Sequence, residues 1–464
     1  MSGACWPIRP PPLGGELLSS WMTRIAKANG VSLQCLCWET WPGSDLLMRD
    51  IDRHPPPGFI EELAKHSGHP AASIQRLVLR SLVGRLLVNL PPGSGWVQWI
   101  LPILLRTRAA YGIQYCPECL AKDIEPHWRL NWRLAFVTTC PQHFRVLSDT
   151  CSSCGVAPNP LALFKGKRPA TEPVPVHLCR WCGQDFRVIC NDPSNSNSPS
   201  KGVVHFETTL LQALQENWMD VPGHGLVHSI PYFRGLHLIV TILASKGQSG
   251  RFRAAVCQEL GIDQPPKLIP GRGGRVLFEL QNVSTRHQLV AMAAWLMEDW
   301  PHRFTQACRE ASLSGTRLTL ELQRDAPYWY WKSTGEQLGS KRAQWRRAAL
   351  PDGLSLSYDD VSRRLQSRKL LSQERRIRFV RDHPELWGDP LRLTNALRSA
   401  GLYSPNSAPS LLVPYCTVLI ALAKGEGLLH CFTKSLAVCC VRGRRQMVLL
   451  PSVSPSTETS GTSG

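Results

Sequence analysis

Apolar residues return every three or four positions along most of this chain, which is the period of helices packed on one face. Leu17, Trp21, Ile25 and Ala28 form one such stripe, so residues 15–28 are expected to be helical. Gly30 ends that helix, and Ser32 can cap a second, short one running to Trp38. A similar pair is expected over 59–82, with Leu63 and Ala64 before Gly68, and Ile74, Leu77 and Val78 after it. Two short helices around a glycine make a helix-turn-helix. Here the 59–82 pair could contact DNA or serve as a platform for a protein. Residues 96–105 are apolar and are expected to pack on the segment that follows.

The second half reads as all helical, with helices over 206–218, 232–244, 251–260 and 286–300. Leu289, Ala293, Leu296 and Trp300 make the stripe of the last of these, and Pro301 opens a further helix carrying Phe304, Cys308 and Ala311. Residues 192–202 (DPSNSNSPSKG) form a polar linker. Beyond 405 the pattern weakens. Residues 436–450 read as a strand pair or an unstable tail, and the Ser/Thr/Gly-rich stretch 452–464 as disordered.

Between these helical halves the pattern is broken by cysteines. Seven of the chain's 17 cysteines fall in residues 116–182, in four two-ligand hooks: Cys116 with Cys119, Cys140 with His143, Cys151 with Cys154, and Cys179 with Cys182. Two intervening residues let both ends of a hook reach one ion from a tight turn, and two hooks close a tetrahedral shell, as in structural zinc sites. The simplest pairing is consecutive and gives two structural Zn2+ ions; interleaved pairing stays open. Two disulfides and a stray histidine would need an oxidising compartment, and the proline-rich start has no apolar signal core. Cys35 and Cys37 lack ligand spacing and read as core. Within 128–134, Trp128 and Trp132, Arg129 and Arg133, and Leu130 and Leu134 are each four apart, so a helix is expected, its tryptophans packing the metal core or stacking on a partner. Asp123 and Glu125 read as surface residues.

The runs YCPEC, HWRLNWRLAFVTTCPQH, LSDTCSSCG and CRWC, in this order, resemble the TniQ/TnsD family of transposon target-selection proteins. All eight ligand positions match that family's zinc-finger region. PLGGELLSSWMTRIAKANG at 12–30 is similar to its opening signature, and TRHQLVAMAAWLMEDWPHRF at 285–304 to its carboxy-terminal helical part. The resemblance spans about residues 7–404. It implies an adaptor that binds target DNA, or a target-bound partner, and recruits an AAA+ ATPase, which in turn brings the transposase. A resolvase or an RNA-guided complex is a further implied partner. A homodimer is compatible with this reading.

Charge adds to this picture. The chain of 464 residues has 53 Lys and Arg against 35 Asp and Glu, a net charge of +18. Such an excess favours a polyanion, usually nucleic acid. It is concentrated over 341–381, with twelve basic against four acidic residues. Arg363, Arg364, Arg368, Lys369, Arg375, Arg376 and Arg378 are the candidate DNA contacts. No apolar run reaches the roughly 20 residues needed to span a bilayer, so no membrane partner and a bacterial cytoplasmic location are expected. A phosphate loop, H-E-x-x-H and G-x-S-x-G are all absent from the sequence, and a shell filled by four protein ligands leaves no position for a substrate water. No enzymatic activity is expected; a nuclease is the remaining enzymatic reading and would need carboxylates holding a catalytic metal. A zinc-dependent DNA-binding transcription regulator is the alternative. The expected fold is therefore mainly α, with helix-turn-helix-like helical domains flanking a double zinc-finger module. Its segments are an N-terminal helical domain at 1–105, the zinc-binding module at 106–191, a linker at 192–204, a basic all-helical region at 205–404 and a tail at 405–464.

Overall fold

The computed structural model describes residues 5–88, 90–91, 96–103, 112–159, 161, 164–165, 168–169, 172–188, 199–245, 248–271 and 276–313, and short stretches beyond (327, 329–330, 333–334, 338, 393, 396–397, 437–440 and 447–450). The described residues are mainly helical. In chain order they form α1 (Leu18–Ala28), α2 (Leu33–Thr40), α3 (Phe59–Ser67), α4 (Ala71–Gln75), α5 (Pro117–Lys122), α6 (Lys201–Glu216), α7 (Ser229–Ala244), α8 (Gln248–Glu259), α9 (Val283–Glu298) and α10 (His302–Glu310). Four two-stranded antiparallel sheets accompany them: β1 (Thr139–Cys140) with β2 (Arg145–Val146), β3 (Phe164–Lys165) with β4 (Arg168–Pro169), β5 (Trp218–Val221) with β6 (Gly225–His228), and β7 (Ala437–Cys440) with β8 (Met447–Leu450). The chain divides into two compact units, Met1–Glu216 with Leu236–Ser314, and Asn217–Gly235 with Gly315–Gly464. The sequence boundaries at 105 and 192–204 therefore lie inside the first unit. None of the described helices is long and apolar enough to cross a membrane.

In the first unit, α1 buries Leu18, Trp21, Met22 and Ile25 against Leu33 and Leu36 of α2 and Phe59, Leu63 and Ile74 of the following pair. Asn29 and Gly30 stop α1. The Asn29 amide donates to the carbonyls of Ile25 (2.8 Å) and Ile8 (2.7 Å), which also fixes the proline-rich arm. Gly30 turns with φ +72°, and the Ser32 hydroxyl accepts the Cys35 amide to open α2. Cys37 is buried as expected, but Cys35 faces solvent. The second pair is less regular than its pattern implied. After Gly68 (φ +71°), α4 is only five residues long, and a 3-10 turn over Leu79–Leu82 follows. The chain leaves helical geometry there because the Leu77 carbonyl accepts from Leu18 and the Asp52 carbonyl from Leu79.

The helix expected over 128–134 is also absent; a single 3-10 turn, Leu130–Arg133, takes its place. Its backbone is engaged elsewhere. Leu17 donates to the Trp128 carbonyl, Leu130 to that of Gly15, and Trp128 to the Ser20 hydroxyl, so the run lies extended along the start of α1. On its other side Leu101 donates to the Arg133 carbonyl and Ala135 to that of Trp99, which seats residues 96–103 on this segment. Further on, Leu289, Ala293, Leu296, Trp300, Phe304 and Cys308 are all buried, as their stripe predicts.

In the second unit, β5 and β6 replace part of the expected all-helical pattern. Asn217 (φ +66°) ends the preceding helix, and Gly223 and Gly225, both at positive φ, form the hairpin turn. Trp329 stacks on Tyr232 (centroids 5.7 Å apart, planes 19° apart) and donates to the Pro231 carbonyl. Gly235 lies directly under this indole. Residues 436–450 contain a strand pair, with Ala437 opposite Leu450.

Candidate metal centres

The four hooks are built by three local geometries. Cys116 precedes α5, with Pro117 at its first position and Leu120 donating to the Cys116 carbonyl. Cys140 lies on β1 opposite Arg145, and the chain reverses through His143 and Phe144, the latter at φ +44°. The other two hooks repeat one geometry. Gly155 donates to Cys151 and Cys151 to Val156; Gly183 donates to Cys179 and Cys179 to Gln184. Gly155 and Gly183 both sit at positive φ, which explains a glycine directly after each second cysteine.

These turns bring the eight side chains together as two separate clusters, Cys116, Cys119, Cys140 and His143, and Cys151, Cys154, Cys179 and Cys182. The pairing is consecutive, not interleaved. In the first cluster His143 Nδ1 lies 3.5 Å from Cys116 Sγ and 3.4 Å from Cys119 Sγ and Cys140 Sγ, with 3.5 Å between Cys119 and Cys140. In the second, Cys151 and Cys182 are 3.6 Å apart and Cys154 and Cys179 3.7 Å. Metal bonds of about 2.3 Å to sulfur and about 2.0 Å to nitrogen give tetrahedral edges of about 3.5–3.8 Å. Both donor sets fit a four-coordinate ion with no ligand missing. A divalent cation at such a site favours the thiolate form of each sulfur.

The surroundings fix the first cluster from several sides. Glu207 of α6 accepts the backbone amides of Thr138 (3.0 Å) and Thr139 (2.9 Å) and both their hydroxyls, directly before Cys140. Burial nevertheless pushes the Glu207 carboxyl up to about 7, against these bonds from Thr138 and Thr139. Tyr115 pairs its backbone with Ser148 and gives its hydroxyl to the Thr150 carbonyl, which links the two clusters. Trp128 packs on Tyr115, Trp132 and Phe186 and donates to the Val176 carbonyl. The tryptophans of this run are core, the first of the two roles open to them.

The same segment is held to the N-terminal region by the ion pairs of two buried arginines. Arg24 of α1 bonds Glu16 at 2.6 Å and Glu125 at 2.5 Å. Arg133 bonds Asp50 at 2.6 Å and lies 3.4 Å from Asp52, which is itself held by the Ser19 amide and hydroxyl. Asp149 accepts the Val283 amide at the start of α9. Glu125 is exposed, as expected, but Asp123 is half-buried and bonds Arg129 at 2.8 Å. The sequence reading missed these partners. Glu207 left one signal: it is a charged residue beside Val203, Val204 and Leu210 on the buried face of α6. The seven candidate DNA contacts, Arg363 to Arg378, lie outside the described residues.

A family model described as TniQ matches residues 7–147. The matched span contains α1 to α5 and the whole Cys116–His143 cluster, and it stops before the second cluster. No curated protein matches the chain.

Proposed function

We propose that this chain, a TniQ-family protein through residues 7–147, selects the target site in DNA transposition as an adaptor with no active site. The observation that carries the reading is the match itself, which falls on helices and a Cys3His shell that share one compact unit. Each shell takes a structural Zn2+ ion. Zinc chemistry here is folding chemistry, since four protein ligands close each site. The side chains of Glu207, Tyr115, Trp128 and Arg133 orient the hooks and tie them to α1 and α6.

The basic stretch 341–381 supplies the affinity for target DNA, through phosphate contacts by Arg363, Arg364, Arg368, Lys369, Arg375, Arg376 and Arg378. The protein side of the adaptor recruits an AAA+ ATPase, and through it the transposase. The test is co-purification of the zinc-loaded chain with the ATPase of its own element, with and without DNA. Retention is expected. Failure in both conditions, with folded protein, would favour the transcription-regulator reading instead.

A further inference from the structure

We propose that the second cluster is a site of oxidative modification, at which a peroxide converts thiolates to a disulfide and releases the metal, while the first cluster keeps its own. The inference rests on the two-metal reading above and concerns the difference between the shells. In the first, Cys116 is 0 % exposed and Cys119 and Cys140 4 % each. In the second, Cys151 and Cys179 are buried, but Cys154 and Cys182 are exposed. One cysteine of each hook is thus exposed in the second shell, and none is in the first.

Each exposed cysteine also has a buried partner cysteine in contact, on the opposite hook. Cys182 is 3.6 Å from Cys151, and Cys154 is 3.7 Å from Cys179. A disulfide needs about 2.0 Å, and rotation about the side-chain bonds covers the difference. Peroxide takes the electron pair of the exposed thiolate, its O–O bond breaks, and one oxygen leaves as water after protonation. The other remains as the sulfenic acid, Cys–SOH. The neighbouring thiolate attacks that sulfur, the S–O bond breaks, and the oxygen leaves as a second water. In sum, two thiolates, one peroxide and two protons give one disulfide and two waters. The shell falls from four ligands to two, and the ion departs. The crosslink joins the third hook to the fourth, so the segment stays closed, and a dithiol reductant with added zinc reverses the change.

The test uses the full chain. Metal analysis comes first: two zinc ions per chain are expected, and fewer would overturn the two-metal reading and this inference with it. Hydrogen peroxide is then added stepwise while free zinc is read with a metallochromic indicator. Cysteines are assigned by differential alkylation and peptide mass spectrometry. One ion should be released per chain, with a Cys151–Cys182 or Cys154–Cys179 link. Cys116, Cys119 and Cys140 should react at least about tenfold more slowly, as buried thiols do. Dithiothreitol and zinc should restore the starting state. Release of both ions together, equal oxidation of the first cluster, or complete resistance of Cys154 and Cys182 would overturn the proposal while leaving the metal count intact.

Discussion

Glu207 Oε2 accepts both the amide (2.9 Å) and the hydroxyl (2.6 Å) of Thr139, the residue before the candidate ligand Cys140. Its other oxygen does the same for Thr138. One helix residue thus satisfies four donors of Thr138 and Thr139, directly before the candidate ligand Cys140. Replacing Glu207 by Ala strands those donors in the interior, where each unmet group costs about 1–3 kcal/mol. Unfolding of Glu207→Ala by urea should show a loss of roughly 3 kcal/mol or more. A loss under 1 kcal/mol would mean that water replaces the carboxylate.

The same carboxyl gives a pH dependence. Its folded pKa of about 7 lies above the ordinary value of 4.5. The folded state therefore holds this proton more tightly than the unfolded chain. The contribution favours folding fully below pH 4.5, declines between 4.5 and 7, and is absent above. Its size is up to roughly 3 kcal/mol, at 1.36 kcal/mol per unit. Comparing wild type with Glu207→Gln at pH 5 and pH 8 isolates it. The stability of wild type minus that of the variant should fall by up to roughly 3 kcal/mol from pH 5 to pH 8, since the glutamine does not titrate.

Removal of metal should unfold the middle of the chain, because ligand binding by such closed shells is coupled to folding. Cys116→Ser and Cys151→Ser are both expected to lower Tm, and a chelator should do the same to the wild type. Wild-type Tm in both variants would sink the zinc reading.

Local spacing carried most of what could be read in advance. Two residues between ligands define each hook, so the hooks were legible without knowledge of the fold, whereas which two hooks share a site was read from the structure. The helical stripe at Leu289, Ala293 and Leu296 was legible for the same reason, being a repeat along one element. The ties between elements were not. Arg133 with Asp50, Glu207 with Thr139, and Asp149 with Val283 join positions 68 to 134 residues apart, and no periodicity encodes them. The failed helix at 128–134 belongs here too: its spacing is helical, but the start of α1 takes its hydrogen bonds.

Arg133 is wholly buried and bonds Asp50 while lying 3.4 Å from Asp52. Truncating it leaves two acids without their cation, a change that costs about 3–5 kcal/mol for buried pairs. Arg133→Ala should therefore unfold at clearly lower denaturant. Adding Asp52→Asn to Arg133→Ala should recover part of the loss if uncompensated charge is the cause, whereas recovery by Arg133→Met alone would point to lost packing.

Gly235 offers a test in the second unit. A Cβ there would overlap the ring of Trp329, whose indole is already fixed by Tyr232 and the Pro231 carbonyl. Overpacking of this kind costs about 1–3 kcal/mol, although alanine is otherwise the better helix former. Gly235→Ala should be destabilising, and Trp329→Leu in the same chain should relieve it. A neutral Gly235→Ala would show that the indole moves aside freely.

DNA binding by the basic stretch has a signature that stability measurements do not share. Each phosphate contact releases a counterion, so log K falls with log salt at about 0.9 per contact on duplex DNA. Changing Arg375, Arg376 and Arg378 together to Ala should weaken binding across all sequences and reduce that slope by up to about 2.7. Far-ultraviolet circular dichroism of the triple variant should match wild type, which separates a lost contact from a lost fold. An unchanged slope with folded protein would move the DNA site away from 341–381, most directly to the N-terminal helices, where Lys65, Arg76 and Arg80 of the 59–82 segment are exposed.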